Sequence, residues 1–551
     1  MTVRMGLIRM PVTYPRTRVT GVQHGQHEAK RLCRSHRRGA SGPGRPPLGR
    51  TARRRVGDVD QPDRAAALGR GPRDGRPGPG TRFLPVAPTR NNHFSRGPNM
   101  PKPYELTVSQ AAQQIKDKKL SPVDLAQSLL ERIDATDKDL KAWVTIDREE
   151  VLTNAKEREE EAKQGKTRGL LHGVPVGLKD IFYTAGMKTA AGSKVYADFV
   201  PDFDATSVAK IKEAGGIILG KAVTTEFATS DPSPTFNPWN FEHTPGGSSS
   251  GSSVAVATKT VGAALGSQTG GSTCRPAAYN GIVGLKATYG RISRYGVVPV
   301  SWSLDHVGIL VRTVEDAALM LQVMSGEDAN DPGSLSGPVP DFLKQMADHN
   351  RPPRIGIVSE YYSENSTPEV WANTQETVKQ LTAAGAEVVE LDLPDSFKSC
   401  HSAQRIVMNV ECAAYHEQSH ATQAEDFGPR VRSGMEMGML IPATKYLQAQ
   451  RLRRKFRQDM IQMAGQVDVV LTPAIPAPAP KDRNTTGDAS FQVPWTTSGL
   501  PTVTLPSGLS EDGLPLAVQL GALPLEEGKL LGAAQWCESA LGMSLSPPNY
   551  G

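Results

Sequence analysis

The chain has 551 residues, 38% hydrophobic and 22% charged, with a formal net charge of +6. That charge is segregated: residues 1–99 carry 21 Lys and Arg against five acids, whereas the remaining 452 residues carry a net −10. Five cysteines without CxxC spacing exclude a disulfide framework and fit a reducing cytoplasm, and no apolar run approaches the roughly 18 residues of a membrane span.

Residues 1–99 are rich in Arg, Gly and Pro and lack apolar periodicity, so they cannot bury enough surface to offset the entropy of ordering. A nucleic-acid arm would interleave aromatics, and a targeting peptide would need a longer apolar core than Gly6 to Val12. The segment is expected to be a disordered extension or a gene-model artefact, with translation starting at Met100. Residues 100–551 are expected to form one domain, since large α/β enzymes reach this length without subdividing.

Along that domain, Ser121-Pro122-Val123-Asp124 reads as a capping box with proline at the first helical position, followed by Val123, Ala126, Leu130 and Ile133 at helical spacing. From His172 the pattern turns to short apolar runs between Gly and Pro. Val174 to Leu178, Ile217 to Leu219, Ile282 to Leu285 and Val307 to Val311 read as strands, with a helix over Ala205 to Ala214. Val254 to Leu265, made of small apolar residues, reads as one tightly buried helix. In the second half, Arg354 to Val358, Pro368 to Ala384 and Glu387 to Leu393 form a βαβ unit. Val467 to Leu471, Pro501 to Leu505 and Leu514 to Leu520 are further strands. The alternation predicts an α/β layered fold with a largely covered sheet.

Chemistry concentrates in three places: Gly246-Gly-Ser-Ser-Ser-Gly-Ser-Ser253, Thr269-Gly-Gly-Ser272, and Lys179 in an apolar setting. A serine hydroxyl needs a base to become a nucleophile, and a lysine serves only where burial leaves it neutral. Glycines beside a serine let backbone N–H groups reach a developing oxyanion. Gly/Ser runs are usually linkers, but a linker does not lead into a small-residue helix. Gly247 to Gly251 also fits G-x-S-x-G, yet Phe241 to Pro245 supplies a loop where a nucleophile elbow needs a strand. His306, His401 and His416 lie downstream with nothing around them to suggest a triad. Gly215 to Ala222 is close to a phosphate-binding loop, but Ala222 stands where Ser or Thr must ligate magnesium, so a buried strand ending at Lys221 is expected. No cluster has metal-ligand spacing, and neither metal nor cofactor is expected.

The GGSSxGS turn, the TGGS turn, and the run Pro276-Ala277, Gly281, Gly284 and Lys286 resemble the amidase signature enzymes, as does the 24-residue spacing from Ser248 to Ser272. The resemblance extends from about Tyr104 to about Leu541. It implies an α/β/α sandwich with a mixed central sheet and short N-terminal helices. It further implies Ser272 as nucleophile, Ser248 as proton relay, Lys179 as base, and the backbone N–H groups of Thr269, Gly270, Gly271 and Ser272 as oxyanion hole. Two positions depart from the family pattern: Gln268 stands for the usual Asp, and Cys274 precedes an arginine, Arg275, displaced by one residue. They put the supporting contacts of the turn in doubt and leave the triad intact; Cys274 is read as packing.

The implied function is a free-standing amidase that cleaves a small-molecule carboxamide through a seryl acyl-enzyme. The alternative is the A subunit of glutamyl-tRNA amidotransferase, which the stretch Gly284 to Gly296 resembles. Asn237-Pro-Trp-Asn240 and Ile441 to Gln450 look more like free amidases, and residues 430–455 lack that subunit's glutamine-binding arginine pattern. Neither nucleic acid nor membrane is expected as a partner, and a homodimer is left open.

Overall fold

The computed structural model describes residues 101–551; the expected extension over 1–99 lies outside them. An 11-stranded mixed sheet forms the centre. Its strands are β1 Trp143–Thr145, β2 Pro175–Lys179, β3 Ile217–Ala222, β4 Ala263–Gln268, β5 Val283–Lys286, β6 His306–Val311, β7 Arg354–Ile357, β8 Glu387–Glu390, β9 Val469–Pro473, β10 Thr502–Leu509 and β11 Pro515–Gly521. They lie in the order β1-β3-β2-β4-β6-β5-β10-β11-β9-β7-β8. β3, β2 and β4 are parallel, as are β9, β7 and β8, while β6, β5, β10 and β11 join the two groups antiparallel. Every residue of β2, β3, β4 and β6 is buried, as their apolar runs require of strands covered on both faces.

Two N-terminal helices, Val108–Lys116 and Pro122–Leu140, contribute their buried apolar residues to the same core. Ser121 caps the second by accepting from Val123 N and Asp124 N with Pro122 at its first position, but the reciprocal Asp124 contact of a capping box is absent among the described residues. Lys221 lies near the end of the strand read from Gly215 to Ala222 and is fully buried.

One element differs from the sequence reading. The predicted helix over Val254 to Leu265 stops at Ala257, and Ala263–Gln268 is β4. Thr258 to Gly262 form the turn, with Lys259 in the left-handed region at φ 59°. Ala263 to Leu265 are good helix formers, but their backbone pairs with β2 on one side and β6 on the other. Two ladders in the middle of the sheet outweigh a propensity worth tenths of a kcal/mol per residue.

The remaining helix, Ser250–Ala257, has all eight residues buried, which only small side chains permit. A Cβ on Gly251 would overlap Ala142 O and Val223 N, so the helix touches backbone there. Gly308 on β6 likewise leaves room for the Thr273 side chain. These close approaches bring the Gly/Ser turns against the end of β2.

Candidate functional site

Lys179 is the last residue of β2 and is completely buried. Its Nζ lies 2.7 Å from Ser248 Oγ, 2.8 Å from Ser267 Oγ and 3.2 Å from Ser249 Oγ, and no carboxylate joins this shell. Burial without a counter-ion disfavours the ammonium, so the pKa is held well below the ordinary 10.5, the Asp305 carboxylate acting weakly the other way. Ser249, where a nucleophile elbow would carry its serine, is engaged at Ser267: its Oγ accepts from Ser267 N and donates to Ser267 O.

Ser248 follows a cis peptide bond with Gly247 and is itself buried. Thr225 N donates to Ser248 O at 3.2 Å, tying the serine to the loop after β3. In that loop Phe227 and Ala228 hold positive φ angles, 45° and 57°, backbone that non-glycine residues adopt at a cost and that concentrates around working sites. Gly247 O is held by Arg275 Nη2 at 2.6 Å, while Arg275 Nη1 donates to Gly487 O at 2.7 Å. Arg275, one position later than the family pattern, therefore braces the Gly247–Ser248 peptide from the helix Cys274–Asn280 that follows Ser272.

Ser272 sits in the turn between β4 and that helix and is partly exposed. It makes no hydrogen bond with Ser248 or Lys179 among the described residues, so the structure joins two of the three expected residues directly, while Arg275, three residues after Ser272, bonds the peptide before Ser248. The turn has an unusual hydrogen-bond account. Gln404 Nε2 donates to Thr269 O at 3.1 Å, and Thr496 Oγ1 donates to Gly270 O at 2.7 Å. The N–H groups of Gly270, Gly271 and Ser272 donate to no described residue. In a trans peptide the N–H points opposite to its C=O. The Gly270 and Gly271 N–H groups therefore point away from Gln404 and Thr496 respectively.

Gln268 occupies the position where the family carries Asp. Its Oε1 accepts from Thr273 N at 2.9 Å and Cys274 N at 3.0 Å, satisfying the start of the next helix, and its Nε2 donates to Thr496 Oγ1 at 3.1 Å. Asp305 receives the Thr269 hydroxyl and the Val300 and Ser301 N–H groups, and burial pushes its pKa up to about 6. Cys274 Sγ faces Thr502 Oγ1 at 3.6 Å, its thiol pKa raised by burial, which fits packing.

None of the downstream histidines is hydrogen-bonded to Ser248, Ser272 or Lys179 among the described residues, although His306 pairs across strands with Gln268. His306 Nδ1 faces Leu304 O at 2.7 Å, His401 Nε2 faces Ser490 O at 2.9 Å, and His416 packs against Phe227 and Phe427. Asp180 accepts from Ala190 N and faces buried Lys221; burial raises the Asp180 pKa and lowers that of Lys221. Among the described residues no group of three or more His, Cys, Asp and Glu is arranged to hold a metal, and no helix is long and apolar enough to cross a membrane. The contributions of Ser267, Gln404, Thr496 and Asp305 escape sequence reasoning. Ser267 alone had a signal, since its side chain leaves β4 two residues before the TGGS turn.

A family model described as Amidase matches residues 124–531. The A subunit of the glutamyl-tRNA(Gln) amidotransferase of Geobacter metallireducens is 37% identical over 79% of this chain and 97% of its own. That of Desulfatibacillum aliphaticivorans is 33% identical over 81% and 99%. Among solved structures, the native peptide amidase from Stenotrophomonas maltophilia is 29% identical, TM-score 0.71, over 81% of this chain and 99% of its own. A vestigial protein complex described as revealing the origins of an s-triazine catabolic enzyme is also 29% identical, with a TM-score of 0.74 over 80% and 99%.

Proposed function

The chain belongs to the amidase family, and we propose that it cleaves a carboxamide by acyl transfer from Ser272. The observation that carries this reading is a buried lysine among three hydroxyls with no carboxylate beside it. A neutral amine has two N–H groups and one lone pair. Ser249 and Ser267 take the two N–H groups, and the lone pair accepts the Ser248 hydroxyl. Ser248 Oγ is then an acceptor for the Ser272 proton, and the three side chains form a one-way relay into Lys179.

In this reading Ser272 Oγ attacks the amide carbonyl while its proton passes through Ser248 to Lys179. The carbonyl oxygen becomes an oxyanion and receives the N–H groups of the turn from Thr269 to Ser272, those of Gly270, Gly271 and Ser272 being unpartnered in the free enzyme. Collapse breaks the C–N bond, and the proton returns through Ser248 to the departing nitrogen, which leaves as ammonia or an amine. Water then attacks the ester at Ser272, giving its proton along the same path, and as the ester C–O bond breaks that proton returns through Ser248 to Ser272 Oγ and the acid departs. Every proton taken is returned, so the cycle needs no cofactor.

The source of the amide divides two readings. A free-standing amidase fits the likeness to the peptide amidase. The names of the curated relatives weigh more toward the reading ranked second from sequence, an A subunit drawing ammonia from glutamine. On that reading the expectation of no nucleic-acid partner does not carry over, because the relatives are named for a tRNA substrate, and partner subunits are expected. The test is ammonia release by the purified chain from propionamide, benzamide and glutamine. Turnover of simple amides with little on glutamine supports the free amidase; glutamine-selective release, or activity only after partner subunits are added, supports the amidotransferase reading. No release from any amide under either condition, with Ser272 unreactive toward a serine-directed sulfonyl fluoride, refutes the acyl-transfer reading.

A further inference from the structure

We propose that Gln268, Thr496 and Gln404 are positioning residues that aim the oxyanion-binding N–H groups, and that the amide at position 268 is what gives the Thr496 hydroxyl its direction. The inference rests on the acyl-transfer reading above and adds the residues that set its geometry. Three observations converge. The carbonyls of Thr269 and Gly270 are each held by a side chain from outside the turn, Gln404 and Thr496. Both side chains, and Gln268, are buried, so water does not compete for these bonds. The turn also has no space to swing toward the helix Val493–Ser498, because a Cβ on Gly271 would meet Gln492 Oε1 at 2.7 Å and Ala489 Cβ at 3.1 Å.

The chemistry of position 268 follows from counting hydrogens. Thr496 has one hydroxyl hydrogen. Gln268 Nε2 donates to its oxygen, which leaves that hydrogen for a carbonyl, and Gly270 O at 2.7 Å is the nearer acceptor than Gln492 O at 3.3 Å. A carboxylate at 268 has no hydrogen to give. It would keep the Thr273 and Cys274 N–H groups but draw the Thr496 hydrogen to itself, and Gly270 O would lose its donor. The Gly270–Gly271 peptide would then be free to rotate, carrying the Gly271 N–H away from the developing charge. The departure from Asp at this position is thus matched by a hydroxyl across from it.

The experiment compares Thr496→Val, Thr496→Ser and Gln268→Glu with the wild type on whichever amide of the panel is turned over fastest, with Ser272→Ala as reference. Losing one oxyanion donor costs about 10²–10³ in turnover, and misaiming one is expected to cost about ten- to hundredfold in kcat with KM within about twofold. Thr496→Ser should recover most of the rate, since it keeps both the acceptor and the hydrogen. Gln268→Glu should fall as far as Thr496→Val, and the double variant no further. Phenylboronic acid, which takes a bond from the serine oxygen and leaves a charged tetrahedral boron, should bind Thr496→Val and Gln268→Glu at least tenfold more weakly. If Thr496→Val keeps its kcat, if Thr496→Ser falls equally, or if the loss lies in KM alone, the inference is overturned. Should Thr496→Val fail to fold, Gln268→Glu carries the same comparison, judged by the same kcat, KM and boronate readings. A Ser272→Ala enzyme that still turns over would instead overturn the underlying acyl-transfer reading.

Discussion

Replacing Lys179 by methionine tests directly whether the amine is neutral in the fold. The side chain is fully buried with three hydroxyls as its hydrogen-bond partners among the described residues. In the unfolded chain it titrates near its ordinary 10.5, whereas the native amine is deprotonated down to a much lower pH. Between those two values the unfolded state binds one more proton than the native state, so wild-type stability rises with pH by about 1.4 kcal/mol per unit. At pH 7.5, 3 units below the ordinary value, keeping the amine neutral costs about 4 kcal/mol. Methionine removes that cost and forfeits three hydrogen bonds worth about 1 kcal/mol each. Lys179→Met is therefore inactive, near wild-type in stability at pH 7.5, and progressively less stable than wild type as pH climbs to 10. Buried Lys286, lowered to about 7 by desolvation, titrates in both proteins and cancels in the difference. Urea unfolding of the two proteins at four values from pH 7 to pH 10 reads the slope. Parallel stability curves would mean that Lys179 is charged in the native state, and the relay into it would fail.

Ser272→Ala should abolish amide cleavage while leaving the thermal midpoint within about 2 °C, as expected for a partly exposed side chain without hydrogen bonds; residual turnover near wild type would put the nucleophile elsewhere. Arg275→Met leaves Gly247 O and Gly487 O without their donors, at about 1–3 kcal/mol for each buried group. Its kcat should fall at least tenfold as the Ser248 peptide loses its brace, and an unchanged kcat would remove that role. Gly251→Ala forces a methyl group into Ala142 O and Val223 N and should cost at least about 3 kcal/mol or prevent soluble expression; a thermal scan at wild-type position would contradict the packing described. A chain begun at Met100 should fold and turn over like the full one, and a large loss of activity would show that residues 1–99 contribute.

The parts of the proposed site that are local in sequence stood out because each has an uncommon composition in its context. Gly246 to Ser253 and Thr269 to Ser272 need glycine for close approach and serine for chemistry, and Lys179 stands in an otherwise apolar strand. Most strands were legible because burial on both faces leaves short apolar runs such as Val174 to Leu178 and Val307 to Val311. β4 was not, since Ala263 to Leu265 suit a helix and only long-range pairing with β2 and β6 makes them a strand. The supports of the turn were equally hidden. Gln404 and Thr496 lie 135 and 226 residues from the carbonyls they hold, in helices whose sequences carry no motif. The sequence marked Gln268 as a departure and offered no clue to its partner.

The complete burial of the helix Ser250–Ala257 sets where new substrate preferences can arise. All eight residues of that helix are buried, and a Cβ on Gly251 would overlap backbone atoms of Ala142 and Val223, so the helix tolerates almost no added volume. The helices Cys400–Gln423 and Ala443–Ala464 are amphipathic and half-exposed, and the first of them already reaches the turn through Gln404. Changes in side-chain volume near the turn are thus accommodated more readily on the Cys400–Gln423 side than in the helix Ser250–Ala257. A directed-evolution library aimed at a new amide should be spent on the former, beginning with the residues around Gln404 and the segment from Asp488 to Gln492.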